Sequence, residues 1–155
     1  VVAVSTTTEA KEKVLSILTD GMELHPRLGK NNSIQVAFSD SSTVVNLNFE
    51  TQEFDGKAPA QTFVYLTAPM LRDLQPTPEL FKWVAVQGTG YRLGCVEAFE
   101  EEAGTIFLRY KYVLLADFLD EDELSTALWA VIYTADELDD ELQKQFGGKR
   151  YIDED

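Results

Sequence analysis

The chain has 155 residues, 45% hydrophobic and 26% charged, a composition that supports a core of its own and excludes a disordered chain. Asp and Glu number 27 against 13 Lys and Arg. The net charge of −14 argues against nucleic acid and anionic membrane surfaces as partners, because both are bound by clustered cations.

Cys95 is the single cysteine, so no intrachain disulfide can form and a cytoplasmic location is expected. No apolar run reaches the roughly 18 residues of a membrane span. Val1 to Val4 is too short for the apolar core of a leader, and the start on Val1 leaves room for residues removed before it.

Thr6 and Glu9 form a capping-box pattern, and Val14, Ile17, Leu18 and Met22 recur at helical spacing. These predict a first helix from about Thr7 to Asp20, ended by Gly21. Glu23 to Asn32 is a loop. Ile34, Val36 and Phe38 alternate with Gln35 and Ala37, and Val45, Leu47 and Phe49 alternate with Val44, Asn46 and Asn48. With turn chemistry at Ser39-Asp40-Ser41-Ser42 between them, the two runs predict an antiparallel hairpin. Thr51 to Ala60 is a polar connection, and Thr62 to Leu66 is a third strand, apolar on both faces.

Pro69 and Pro76 are expected to break the chain. Thr77-Pro78-Glu79 opens a second helix with a favoured cap and first residue. Leu80, Phe81, Val84 and Gln87 form its stripe, with Trp83 on the flank, and Gly88 and Gly90 end it. Tyr91 to Phe99 and Thr105 to Leu115 are strands around a turn at Glu101 to Gly104. In the second, Ile106, Leu108, Tyr110 and Tyr112 take one face, and Phe107, Arg109, Lys111 and Val113 the other. Phe107, Val113 and Val96 are expected to share the face opposite Ile106 and Leu108, with Cys95 as a small core residue.

The longest pattern is last. Leu124, Ala127, Leu128, Val131, Ile132, Ala135, Leu138 and Leu142 fall at steps of three and four, one stripe of a helix from Asp120 to Phe146. Asp120 and Glu123 predict a capping box, Glu121 and Asp122 suit the positive end of the helix dipole, and Gly147 and Gly148 stop it. At 1.5 Å per residue the rod is roughly 40 Å long, enough to cross a small domain. Residues 148–155 are read as a polar, frayed tail. The order α-β-β-β-α-β-β-α predicts one α+β domain over residues 1–155, an antiparallel sheet with helices packed on it.

That order, together with Thr77-Pro78-Glu79-Leu80-Phe81, the second hairpin, Thr134-Ala135-Asp136-Glu137-Leu138 and the close at Phe146-Gly147-Gly148, resembles the YbjN-like family. The resemblance implies the fold of type III secretion chaperones. It also implies the roles given to that family, regulators of sensory transduction or chaperone-like peptide-binding modules, often dimeric.

Chemistry-bearing residues are sparse. His25 is the only histidine and sits in a loop, so no histidine metal cluster can form within the chain and Cys95 has no nearby base. Gly88-Thr89-Gly90 and Gly147-Gly148-Lys149-Arg150 follow helices and open none, so neither cradles phosphate. Asp120 to Glu123 is explained by capping. Asp136, Asp139 and Asp140 are different, because they share a face in the half of the helix where the dipole disfavours negative charge. That face is either solvated or a docking surface for a basic segment, with a weak Ca²⁺ or Mg²⁺ site as the alternative. Trp129 and Tyr133 lie beside the stripe. Covered, they close the core edge; exposed, they mark a partner patch.

The reading is a non-enzymatic protein- or peptide-binding module without a cofactor, acting as a homodimer. Trp83, Trp129, Tyr133, Asp136, Asp139 and Asp140 are its candidate contact residues, with Trp83 or the second hairpin near the subunit contact. An acidic Ca²⁺-binding protein is the alternative.

Overall fold

The computed structural model describes residues 6–153. Val1 to Val4 and the end of the predicted tail, residues 154 and 155, lie outside the described residues. Helix α1, Thr7–Ser16, carries the expected box: the Thr6 hydroxyl accepts from the Glu9 amide at 3.2 Å, and the Glu9 carboxylate accepts from the Thr6 amide at 2.7 Å. It continues into a π-helical turn, Ile17–Gly21.

The strands pair in one antiparallel sheet. They are β1 (Arg27–Leu28), β2 (Ile34–Ala37), β3 (Val44–Gln52), β4 (Gln61–Leu74), β5 (Cys95–Glu100), β6 (Ile106–Leu115) and β7 (Lys149–Arg150). Their spatial order is β1-β2-β3-β4-β6-β5, with β7 on the end of β4. Helix α2 spans Pro78–Val86, and the long helix α3 spans Glu121–Phe146. The architecture is α+β with an antiparallel sheet, in the expected element order apart from the two-residue strands β1 and β7.

Strand β4 is the axis of the sheet and runs well past the expected Thr62 to Leu66. Pro69 does not break it. The strand bulges between Pro69 and Leu71, where the ladder with β6 shifts register, and a proline is tolerated at a bulge because no ladder bond is lost there. The Pro69 carbonyl accepts from the Thr43 hydroxyl at 2.5 Å, so its second function as a backbone acceptor is also used.

Ile34, Val36, Val45, Leu47, Val64, Leu66, Leu108, Tyr110 and Leu114 form the buried side of the sheet. The stripe of α3 packs there as predicted: its eight apolar positions are all buried, and Asp139 is buried with them. Ala10, Val14 and Leu18 join from the first helix, and all belong to one core cluster.

Three further expectations are corrected. First, Val96 is buried on the core side and Cys95 is the half-buried neighbour on the opposite face. The hairpin turn pairs Glu100 with Ile106 and therefore Val96 with Tyr110, and a one-residue difference in register exchanges every side chain between faces. Gly94 makes this possible at φ +107, since a side chain there would lie 2.5 Å from the Lys111 carbonyl oxygen. Second, Trp83 is only 7% exposed and fills the core beside Leu80, while Phe81 is 44% exposed. Leu80, Trp83 and Val84 share the inward arc of α2, and Phe81 lies about a quarter-turn away. Third, the tail is ordered through Asp153. β7 pairs with β4, and Arg150 donates to the Asp153 carboxylate from its backbone amide and its guanidinium. Gly148, at φ +85, permits the approach, because a side chain there would lie 2.7 Å from the Arg72 carbonyl oxygen.

Candidate functional site

One side of α3 meets the turn between β2 and β3. Ring contacts build a continuous aromatic row: Phe38 packs on Trp129 with centroids 4.8 Å apart, and Trp129 stacks on Tyr133 at 5.6 Å and 26°. Trp129 and Tyr133 are four residues apart, so successive turns of the helix place their rings over each other. They do not close the core edge, being 38% and 67% exposed. Together with Ser39, Asp40, Ser41, Ile132 and Asp136 the row lines a cleft of about 220 Å³.

Asp136 forms the end of that cleft and ties it to the turn. Its Oδ1 accepts from the Ser42 amide at 2.6 Å, the Ser42 hydroxyl at 2.5 Å and the Ser41 hydroxyl at 3.3 Å. Its Oδ2 accepts no hydrogen bond among the described residues. Below it, Asp139 Oδ2 lies 2.5 Å from the same Ser42 hydroxyl, and Asp139 Oδ1 is buried without a partner among the described residues. One hydroxyl has one proton to give, so the two short contacts are both hydrogen bonds only when a carboxyl supplies the second proton. Burial pushes the pKa of Asp139 up to about 6; the Ser42 bond opposes this, and the charges of Asp140 and Asp136 add to it. Below about pH 6 Asp139 is therefore the group that carries that proton.

The expected acidic face thus has no single character. Asp139 is fully buried and has no surface to offer a partner. Asp140 is exposed, and its carboxylate pairs with Arg150 from the ordered tail. Only Asp136 reaches the cleft. Trp83 is in the core and does not line it. The sequence reading missed Phe38 and the two serines, because the turn they belong to lies more than 90 residues from Asp136. Among the described residues, no group of three or more His, Cys, Asp or Glu side chains could hold a metal ion. No helix among them is long and apolar enough to cross a membrane.

The second surface of note is the uncovered face of the sheet. At one end lie Phe63 and Tyr65, paired across the ladder with Leu115 and Val113. At the other, Phe99 and Phe107 pair with each other, with ring centroids 6.2 Å apart. Between them Glu97 bridges Arg109 at 2.8 Å and Lys111 at 2.5 Å, and the Arg109 guanidinium lies 4.5 Å from the centre of the Phe99 ring. Burial pushes the Glu97 carboxyl up, but the hydrogen bonds from Lys111 and Arg109 outweigh it and hold the group below the usual carboxylate range.

A sequence family covers this whole arrangement. Residues 8–154 match the family TY-Chap1, described as the T3SS (YopN, CesT) and YbjN peptide-binding chaperone 1. The chain belongs to that family. No curated protein gives a significant match. The resemblance to YbjN-like, secretion-chaperone-like proteins is therefore shown, and protein or peptide binding is the activity of the TY-Chap1 family as described.

Proposed function

We propose that this TY-Chap1 protein is a non-enzymatic peptide-binding module of chaperone type, and that its peptide docks at the Phe38–Trp129–Tyr133 cleft. The observation that carries the reading is the stacked and exposed pair Trp129 and Tyr133. Rigid aromatics offer large contact area at little entropy cost, and exposing them on a monomer surface is unfavourable without a use. Asp136 is the carboxylate placed to meet a backbone amide or basic group of the peptide. Asp140 flanks it one turn further along α3, while Trp83 and Asp139 contribute to the scaffold.

The test is an array of randomised 12-residue peptides, read with the wild-type chain and with Trp129→Ala and Tyr133→Ser. Both changes should abolish most binding while the far-ultraviolet circular dichroism stays unchanged. Undiminished binding by both variants would move the peptide site elsewhere.

We propose in addition that the protein acts as a homodimer in the cytoplasm, joined through the open sheet face. Support comes from the two aromatic ends of that face and from the lone, free Cys95. A two-fold contact is the commonest way to cover such a surface. Sedimentation equilibrium should give a dimer, and Phe107→Glu should give a monomer. A clean wild-type monomer at high micromolar concentration would sink the dimer. A cation-binding role for the α3 carboxylates has no observation in its favour.

A further inference from the structure

The chemistry of the cleft narrows what enters it. At about 220 Å³ it is smaller than the roughly 300–1,000 Å³ of ordinary small-molecule sites, so it suits one side chain and not a folded segment. Its lining among the described residues includes two carboxylates, Asp40 and Asp136, and no lysine or arginine. The nearby cation Arg150 is occupied by Asp140 and Asp153. The chain as a whole carries −14. A negatively charged recess with aromatic walls selects a cation.

Geometry distinguishes among cations. Tyr133 and Asp136 are three residues apart on α3 and so project from neighbouring positions on one side of the helix. Both line the cleft, and Asp136 Oδ2 is the oxygen with no hydrogen bond among the described residues, so a group laid on the outer face of Tyr133 has that carboxylate as its neighbour along α3. A planar guanidinium satisfies both demands at once, stacking on the ring with its face and donating to the carboxylate with its edge. An ammonium can meet either, but it has no flat face to lay on the Tyr133–Trp129 stack.

We infer that the cleft receives an arginine side chain of the bound peptide, stacked on the Tyr133 ring, which itself stacks on Trp129, and ion-paired with Asp136. The inference rests on the peptide-binding reading above and gives it a specificity: segments that present an exposed arginine dock, and segments without one do not.

The experiment follows the two indole N–H signals in ¹H–¹⁵N spectra while N-acetyl-arginine amide is added. Trp83 is in the core and serves as the internal control. The Trp129 signal should shift saturably and the Trp83 signal should not. N-acetyl-citrulline amide, planar but uncharged, and N-acetyl-leucine amide should shift neither. Asp136→Asn keeps an acceptor for Ser41 and Ser42 and should weaken the arginine titration roughly three- to tenfold, as should Tyr133→Ser. Since Asp136 also anchors the turn, Asp40→Asn serves as a second neutralisation without that anchor, and it should weaken binding by a smaller factor. Equal response to N-acetyl-lysine amide would overturn the guanidinium assignment, and equal response to citrulline or leucine would overturn the charge requirement. If Trp129 responds to none of them while the array still shows cleft-dependent binding, this inference falls and the peptide-binding reading stands. If the array also loses its dependence on Trp129 and Tyr133, both fall.

Discussion

The two ends of α3 carry similar acidic clusters that are held in different ways. At the N-terminus, Asp120 accepts from the Glu123 amide at 2.8 Å, and Glu121, Asp122 and Glu123 are exposed at the positive end of the helix dipole. Every reason for those carboxylates lies within four residues. Fifteen residues on, Asp136, Asp139 and Asp140 sit where the dipole offers them nothing. Their partners come from two distant segments: Asp136 and Asp139 share the Ser41–Ser42 turn, Asp139 from within the core, and Asp140 pairs with Arg150 of the tail. Composition alone does not separate a solvated acidic face from a structural one; what separates them is whether the helix terminus or another element supplies the partner.

The widest test concerns the stripe that both ends share. Leu128 is fully buried midway along it, and Leu128→Ala should cost about 2–5 kcal/mol through lost transfer energy and a residual cavity. Urea unfolding followed by circular dichroism would measure it. A loss below about 1 kcal/mol would mean that the stripe is not what anchors α3 to the sheet.

Asp139 gives the next effect, and its sign is set by linkage. Its folded pKa of about 6 lies above the ordinary 3.8, so between those values the folded chain holds a proton that the unfolded chain has released. Stability from this group therefore falls as pH rises from about 4 to 6, and the penalty, up to about 3 kcal/mol, is complete above that window. Ser42, Asp140, Asp136 and Arg150 surround the group and act on its ionisation. The comparison is therefore made with Asp139→Asn, which should be more stable than the wild type at pH 7.5, with the gain shrinking towards pH 4.5. A variant that tracks the wild type across the range would show that the fold does not raise the Asp139 pKa above its unfolded value.

The local cluster should respond more weakly. Asp120→Ala removes the acceptor for the Glu123 amide and should cost about 1 kcal/mol. The Asp120 half of the predicted box is the half formed, so Glu123→Ala should cost less than Asp120→Ala in the same thermal scans.

Asp140→Asn should be the smallest change, under about 1 kcal/mol, because its pair with Arg150 is at the surface and Arg150 keeps Asp153. Its signature should be local instead: faster amide exchange at Lys149 and Arg150, where β7 pairs with β4. Unchanged exchange there would mean that the tail is held by the strand pairing and Asp153 alone.

What the sequence determined by itself is what depends on neighbours along the chain. The period of the α3 stripe, from Leu124 to Leu142, was read residue by residue, since apolar spacing alone sets which side of a helix is buried. The Thr6–Glu9 box, the alternation of β6 and the turn at Glu101 to Gly104 were legible for the same reason. Trp129 and Tyr133 were recognisable as flanking residues, though not whether they would be covered. Only the tertiary structure decided the rest. The continuation of β4 past Pro69 depends on β6 and a bulge, and the register of β5 on its pairing with β6. The burial of Trp83 and Asp139, and the meeting of Phe38 with Trp129, depend on segments brought together from far apart in the chain. Local periodicity fixes which way a side chain faces on its own element. What it then meets is fixed by long-range packing, so the carboxylates of one short acidic run could become a core group, a turn anchor and a surface ion pair.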